Sequence, residues 1–406
     1  MTTTQTRRFR RSLATAAATL ALTLAACNGS GVAEPATEQV ADSATASATE
    51  TTTSTSSSST IEATSAAVEK FLSTLSEEQR AAVVLDYTDE SRTTAWSNFP
   101  LSFVERNGVA LSELTDEQQQ AAMAVLQALL SDQGYETVTN IMGGDQYLAD
   151  HSTSTESTLG DYKLAIYGDA TSGDSYALTF SGHHLGLNAD LNTTTDTISV
   201  APTHLGSQPY SYTNAEGEEI TTMGAFYDTA FAFYDSLTEE QKSALYQGEQ
   251  VSNLVCAPGS TCDYPTGTGL KGSDLTEEQK QLLLAVIGNW VGLADDATAA
   301  ANLAAIEATL DDTYVNWSGA TTYDISSGNG IYFQISGPDV YVEFSSQQGS
   351  AGADTAGLST SGWGHVHTIY RDPTGDYGES VTQQASAGMS GGPGGAGSRG
   401  DGAPPA

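Results

Sequence analysis

Leu275-Thr-Glu-Glu-Gln279 recurs unchanged at residues 237–241, and with one change each at 75–79 and 114–118. Each copy places a serine or threonine three residues before a glutamine, which is the capping box that begins a helix. The acidic residues between them suit the first turn, where the helix dipole favours negative charge. The copies start 39 residues apart in the first pair (75 to 114) and 38 apart in the second (237 to 275). This regularity predicts two helical hairpins related by internal duplication.

Two segments rich in aromatic and β-branched residues follow each pair of copies. They lie at 162–168 and 175–182 in the first half, and at 331–337 and 339–344 in the second. A glycine-containing turn separates the members of each pair, which is typical of a β-hairpin. The sequence therefore predicts an α+β fold of two similar halves, each a helical hairpin packed on an antiparallel sheet.

The first 26 residues have the organisation of a secretory signal peptide. Four arginines precede an uncharged apolar stretch at 13–26, which is too short to span a bilayer comfortably. The stretch ends in Leu24-Ala-Ala-Cys27, which resembles the lipobox of bacterial lipoproteins. We therefore expect an exported, extracytoplasmic protein that a lipid on Cys27 anchors to the cell membrane.

Low-complexity segments flank the central part of the chain. Residues 27–65 are mostly Ser, Thr, Ala and Glu, with too few large apolar side chains to offset the entropy of ordering. We expect a disordered tether there, and a second disordered segment in the Gly-rich tail at 385–406. The duplicated domain is then expected at 66–384, which is long enough to bury a large core.

The charge of the chain argues against a nucleic-acid partner. Removing the signal leaves 10 Lys and Arg (14 minus 4) against 50 Asp and Glu, a formal net charge of −40. Such a surface repels phosphate backbones, and nothing in the sequence identifies a protein partner. With Cys27 lipidated, Cys256 and Cys262 remain as a pair around a short turn-forming loop. In an exported protein this pair predicts a disulfide.

Five of the six histidines lie in or just after the β segments. His365 and His367 are two apart, so on a strand their imidazoles share one face, a common way for a sheet to hold a transition metal. His183 and His184 are adjacent and should point to opposite faces, unless Gly182 marks a bulge. Two strand ligands and one ligand from the other half would form a three-histidine site with an open position. The sequence thus predicts a zinc or copper ion, held by these four histidines at the interface of the halves.

Several polar residues near the histidine pairs are candidates for supporting the ion or contacting a substrate. The nearby carboxylates are Glu343, Asp372 and Asp376. Arg371 suits a bidentate grip on an anion, although it could equally pin its own loop through Asp376. Histidines in sheets also hydrogen-bond to backbone carbonyls, so metal binding is not the only interpretation of these residues. Two alternatives stay open. One is a metal-free module that binds a small anionic or sugar-like ligand; the other is a metal-dependent hydrolase or oxidase. The sequence does not decide whether the protein is an enzyme.

An ordered set of motifs over about residues 68–378 resembles the uncharacterised secreted bacterial proteins grouped as Domain of Unknown Function 3500. The resemblance implies no established activity. Its pattern maps onto a set of polar positions: His183, His184, Asn188, His365, His367, Arg371, Asp372 and Asp376. His204 stands where the family is usually aromatic, and Tyr176 stands where it usually has tryptophan.

Overall fold

The computed structural model describes residues 56–248, 251, 254–258, 264, 266–347 and 354–379. The predicted signal peptide, Cys27, residues 27–55 of the tether, Cys262 and the tail at 385–406 lie outside these residues. The signal, the lipid anchor and the disulfide therefore stay predictions.

All four copies of the capping phrase begin helices. The N-cap residues are Ser76, Thr115, Thr238 and Thr276, and each forms a complete capping box with its glutamine. The helices are Ser57–Thr74 (α1), Glu77–Val83 (α2), Ser91–Thr94 (α3), Asp116–Leu129 (α4), Asp132–His151 (α5), Gly224–Ser236 (α6), Glu239–Leu245 (α7), Glu277–Val291 (α8) and Asp296–Thr309 (α9). Short 3₁₀ turns lie at Leu111–Glu113, Gly272–Asp274, Leu310–Asp312 and Asp376–Glu379.

The predicted tether is wrong at its C-terminal end, because α1 begins at Ser57. The Ser/Thr-rich sequence of α1 contains an apolar stripe, in which Ile61, Val68 and Phe71 are buried. The Thr64 hydroxyl donates to a main-chain carbonyl one turn back, at 2.7 Å, so a buried threonine is tolerated there.

The predicted simple hairpins are also incomplete. A long helix precedes the first capping phrase of each half (α1 and α6), and another follows the second (α5 and α9). α1 packs on α4 and α6 packs on α8. Packing of an apolar stripe against a neighbour, rather than intrinsic propensity, stabilises such helices.

The strands form one large mixed sheet instead of two separate ones. The strands are Val84–Leu85 (β1), Val109–Ala110 (β2), Lys163–Gly168 (β3), Ser175–Ser181 (β4), Leu185–Asn192 (β5), Thr197–Ser199 (β6), Thr203–Ser207 (β7), Ser211–Thr213 (β8), Glu219–Thr221 (β9), Leu270–Lys271 (β10), Tyr314–Gly319 (β11), Ile331–Ser336 (β12), Tyr341–Gln347 (β13) and Gly362–Arg371 (β14). The main order is β1-β3-β4-β5-β7-β14-β13-β12-β11-β10, and β8 with β9 forms a small separate hairpin. The antiparallel pair β7–β14 joins the first half to the second.

The two faces of the sheet differ in chemistry, because successive side chains point to opposite sides. One face carries apolar residues such as Leu187, Leu205 and Phe344, and the helices pack on it. Trp290 of α8, for example, donates its indole N–H to Thr368 on this face at 2.9 Å. The other face carries buried polar residues, which loops cover: Asn188, Asp190, His204, Glu343 and His367. A buried polar face of this kind is the natural place to look for a site.

The capping glutamines also join the helices within each half. Gln79 and Gln118 exchange side-chain amide hydrogen bonds of 3.4 and 3.1 Å. Gln241 and Gln279 do the same at 2.9 Å in both directions. The α+β class is correct, whereas internal duplication stays a prediction. In the part of the chain that the structure describes, no helix is both long and apolar enough to cross a bilayer.

Candidate metal centre

Five imidazoles gather where β7 of the first half meets β14 of the second. His183 and His184 lie in the turn between β4 and β5, His204 lies on β7, and His365 and His367 lie on β14. Ring centroids are 3.9 Å apart for His183 and His184, and 5.4 Å for His184 and His367. The centre is therefore shared between the halves.

Three of these residues can each direct one nitrogen to a common point. Possible ligand atoms of His183, His184 and His367 all lie within 4.8 Å of one another. In addition, Nε2 of His365 is 3.2 Å from Nε2 of His367. Two nitrogens on one tetrahedral zinc ion, at about 2.0–2.1 Å from the metal, stand about 3.4 Å apart. The 3.2 Å separation in the pair His365 and His367 matches that spacing, whereas the 4.8 Å limit for the three-residue group is wider than a closed coordination sphere.

Both members of the first pair face the cluster, so the expectation that His183 and His184 point to opposite faces is wrong. They belong to a turn and not to a strand, and strand alternation does not apply to them. The turn closes where the Gly182 amide donates to the Leu185 carbonyl at 2.8 Å. A Cβ on Gly182 would stand 2.6 Å from the ring of Tyr162, so only glycine fits before the pair.

Asp145 of α5 fixes the orientation of His184. Its carboxylate accepts hydrogen bonds from His184 Nδ1, from the His184 amide at 3.3 Å and from the Tyr162 hydroxyl at 2.5 Å. Asp145 is 1% exposed and His184 is fully buried. Burial raises the pKa of Asp145 above its usual value, and contacts with His183, Tyr162 and the His184 amide oppose that rise.

The second pair has partners of its own. The side-chain amide of Asn98 donates to His367 Nδ1 at 3.0 Å. Gly206 pairs with His367 across the two strands, and a Cβ there would stand 3.0 Å from His184 and 3.2 Å from His367. This glycine leaves room for both imidazoles.

His204 stands apart from the three-residue group. Its Nδ1 donates to the Thr368 carbonyl at 2.8 Å, and the ring is fully buried. Burial lowers the pKa of His204 to about 4. We assign it a packing role beneath His367, whose ring centroid is 5.2 Å away.

The imidazoles of His183, His184 and His367 are held neutral. Burial lowers the pKa of His183, His184 and His367 well below the ordinary histidine value, and neighbouring imidazoles add to the effect. Within the described residues, His183 Nδ1 and His184 Nε2 have no hydrogen-bond partner. A buried polar atom without a partner costs about 1–3 kcal/mol, so these two nitrogens call for an explanation. Neutral imidazole is also the form that binds metal ions.

A buried arginine secures the turn. The Arg106 guanidinium donates to the carbonyls of Val104, Ser97, Phe99 and Gly182, the last at 3.1 Å. It is 2% exposed, and burial lowers its pKa to about 9, so it stays charged at neutral pH. Arg106 thus ties the loop that carries Asn98 to the residue that precedes His183.

Arg371 and Asp376 of the predicted supporting set pin a loop. Arg371 Nη1 donates to Asp376 at 3.5 Å, its Nη2 donates to the Ala257 carbonyl at 3.4 Å, and it is only 1% exposed. Asp372 accepts from the Thr374 and Gly375 amides within its own turn, both at 2.9 Å. Of the two roles that the sequence left open for Arg371, these contacts favour loop pinning.

Glu343 and Asn188 also bind elsewhere on the polar face. Glu343 accepts from the amides of Val255 and Cys256, both at 2.7 Å, and from Tyr332 at 2.6 Å. Asn188 donates to the Pro202 carbonyl at 2.8 Å. Glu343 thereby docks the loop around Cys256 on the sheet.

Asp145, Asn98 and Arg106 went unnoticed in the sequence. All three lie 38 or more residues before His183, and Asn98 and Arg106 lie in irregular segments. No spacing pattern therefore connects them to the histidines. The one signal was Asp145 itself, an acid on the apolar side of α5 between the buried Ile141 and Leu148. A carboxylate at such a position requires a partner.

The fold and the cluster define a class: an α+β protein with a buried polyhistidine centre between its halves. The chain belongs to the family described as "Protein of unknown function (DUF3500)", whose model matches residues 57–379 and so covers most of the chain. The resemblance drawn from the sequence is therefore confirmed. No curated protein and no solved structure matches the chain.

Proposed function

We propose that this protein binds a transition metal ion through His183, His184 and His367, with His365 as an adjacent fourth donor. The observation that supports the proposal most strongly is the approach of three possible ligand atoms to within 4.8 Å of one another. Two nitrogens of these residues, His183 Nδ1 and His184 Nε2, are buried without hydrogen-bond partners among the described residues. A metal ion would satisfy both.

The chemistry of the donors suits zinc or copper. All the donors are imidazole nitrogens, which favour zinc, copper and nickel over the hard ions magnesium and calcium. An ion on His367 Nε2 requires the ring proton to be on Nδ1. Asn98 can then accept a hydrogen bond from that N–H by turning its amide oxygen inward. His183, His365 and His367 keep 6–9% of their surface exposed, so these three side chains are not fully sealed from solvent.

Neither alternative function has an observation in its favour. A metal-free module for an anionic or sugar-like ligand would need Arg371 to be accessible, and it is 1% exposed. A metal-dependent hydrolase or oxidase would need room for a substrate beside the ion. The low exposure of the histidines agrees better with binding or carrying the ion, and we propose no reaction.

The purified mature protein is expected to contain zinc or copper in a one-to-one ratio when it is analysed for elements. A ligand at 1,000 times its Kd adds about 4 kcal/mol to the free energy of unfolding, so removing the ion with a chelator should lower Tm. Adding Zn²⁺ back should restore it. A protein that holds no metal, and whose Tm does not respond to added Zn²⁺ or Cu²⁺, would contradict the proposal.

We also propose that the protein is exported and held at the cell membrane by a lipid on Cys27, with Cys256 and Cys262 joined in a disulfide. The intact mass of the mature protein should show a lipidated N-terminus at residue 27, and reduction should add the mass of one pair of hydrogens. Cys27→Ser should stop processing or release the protein from membranes. Unchanged membrane partition and mass in that variant would refute the anchor.

Internal duplication is a further proposal about how the centre arose. The amide of Gly182 donates to Leu185, and that of Gly337 donates to Val340, each across a two-residue turn at 2.8 Å. The first turn carries His183 and His184, whereas the second carries Pro338 and Asp339. We infer that one of two equivalent turns acquired the ligands. A superposition of 57–207 on 224–371 that leaves the glutamine pairs or these turns unmatched would contradict the duplication.

A further inference from the structure

We infer that Asp145 is a positioning residue of the metal centre: it keeps the proton of His184 on Nδ1 and so presents the Nε2 lone pair to the ion. This inference rests on the proposed metal binding, but its core, the tautomer of His184, is a property of the metal-free protein. The two can therefore fail separately.

Within the described residues, the hydrogen-bond partners of the Asp145 carboxylate are all donors. The Tyr162 hydroxyl and the His184 amide approach Oδ2 at 2.5 and 3.3 Å, and His184 Nδ1 approaches Oδ1. An ionised carboxylate accepts and does not donate, so beside an ionised Asp145 the imidazole nitrogen carries the proton. A neutral imidazole has only one N–H, which leaves Nε2 as a lone pair.

In the part of the chain that the structure describes, no other group uses that lone pair in a hydrogen bond. Within the described residues, His184 Nε2 is buried and makes no hydrogen bond. The ring of His184 lies 3.9 Å from that of His183, 5.6 Å from that of His365 and 5.4 Å from that of His367. The ring of His184 therefore lies among the other imidazoles.

Tyr162 holds the carboxylate in turn. Its hydroxyl donates to Asp145, its ring stacks on Phe180 with centroids 5.3 Å apart, and the side chain is fully buried. The chain from Tyr162 through Asp145 to His184 thus links the start of β3, helix α5 and the β4–β5 turn. A carboxylate that binds the second nitrogen of a ligating histidine fixes its orientation and raises its basicity, and losing it typically lowers metal affinity about 10–100-fold.

Asp145→Asn tests the inference with little change in volume. An amide offers one acceptor oxygen to three donors, so the bond to His184 Nδ1 competes with the bond to Tyr162. We expect the Kd for Zn²⁺ to rise about 10–100-fold, whereas Tyr162→Phe should raise it less because His184 keeps its carboxylate. Asp161→Asn is the matched control, since Asp161 bonds Ser112 at 2.6 Å and the Tyr162 amide at 2.9 Å, away from the imidazoles.

The deciding readout is the ¹⁵N NMR spectrum of His184 in the metal-free protein. A protonated Nδ1 in the wild type, with a mixed or reversed tautomer in Asp145→Asn, supports the inference. A protonated Nε2 in the wild type overturns it, even if Zn²⁺ binds. An Asp145→Asn variant that keeps both the wild-type tautomer and the wild-type Kd overturns it too. If Nδ1 is protonated but no metal binds, the metal proposal fails and Asp145 still sets the tautomer.

Discussion

Replacing His367 by alanine is expected to raise the Kd for Zn²⁺ by more than about 100-fold, beyond the effect of losing a residue that only supports a ligand. His367 is the residue that the second half contributes to the proposed three-residue ligand set, and its Nε2 lies 3.2 Å from Nε2 of His365. Its loss removes one donor and disturbs the position of another. Competition between the protein and a chromophoric chelator measures the Kd directly.

His151 supplies the matched control for this substitution. It is the last residue of α5, it is exposed, and its ring stacks on Tyr147 with centroids 4.0 Å apart. His151→Ala should therefore leave the Kd unchanged. If His367→Ala binds Zn²⁺ as tightly as the wild type does, the ion lies elsewhere and the cluster is not its site.

The helix starts could be predicted from the sequence because a capping box is a local device. Its serine or threonine and its glutamine bond to backbone only three residues away, so the four phrases specify their helices without help from the rest of the chain. α1 and α6 could not be predicted in this way. The start of α1, up to residue 65, looks like a tether until the partners of Ile61 are known, because the stability of the helix comes from packing against α4.

The same distinction applies to the site: residues with a local sequence pattern could be predicted, and residues that depend on distant contacts could not. The two histidine pairs were recognisable by their spacing, and the structure brings all four residues together. The strand period failed for His183 and His184, because it presupposes a strand where the chain forms a turn. Asp145 and Arg106 reach the cluster only through the packing of α5 and of the loop before β2. No period in the sequence encodes such contacts.

Arg106→Ala is expected to lower the free energy of unfolding by about 3 kcal/mol or more, because each buried polar group left without a partner costs about 1–3 kcal/mol. The guanidinium donates to four main-chain carbonyls, and alanine would leave these acceptors buried without a donor. Because Gly182 is one of the four, the turn that carries His183 should loosen and the Kd for Zn²⁺ should rise as well. Urea denaturation measures the first effect and chelator competition the second.

Arg106→Lys separates charge from geometry in the same position. An ammonium keeps the positive charge but has three donors on a single nitrogen, and it cannot reproduce the planar fork that spans these carbonyls. It should therefore recover only part of the lost stability. Arg80→Ala is the control, since Arg80 lies exposed on α2 and surface changes of this kind stay within about 0.5 kcal/mol. If Arg106→Ala is as stable as Arg80→Ala, the four carbonyls find other donors and Arg106 does not hold the turn.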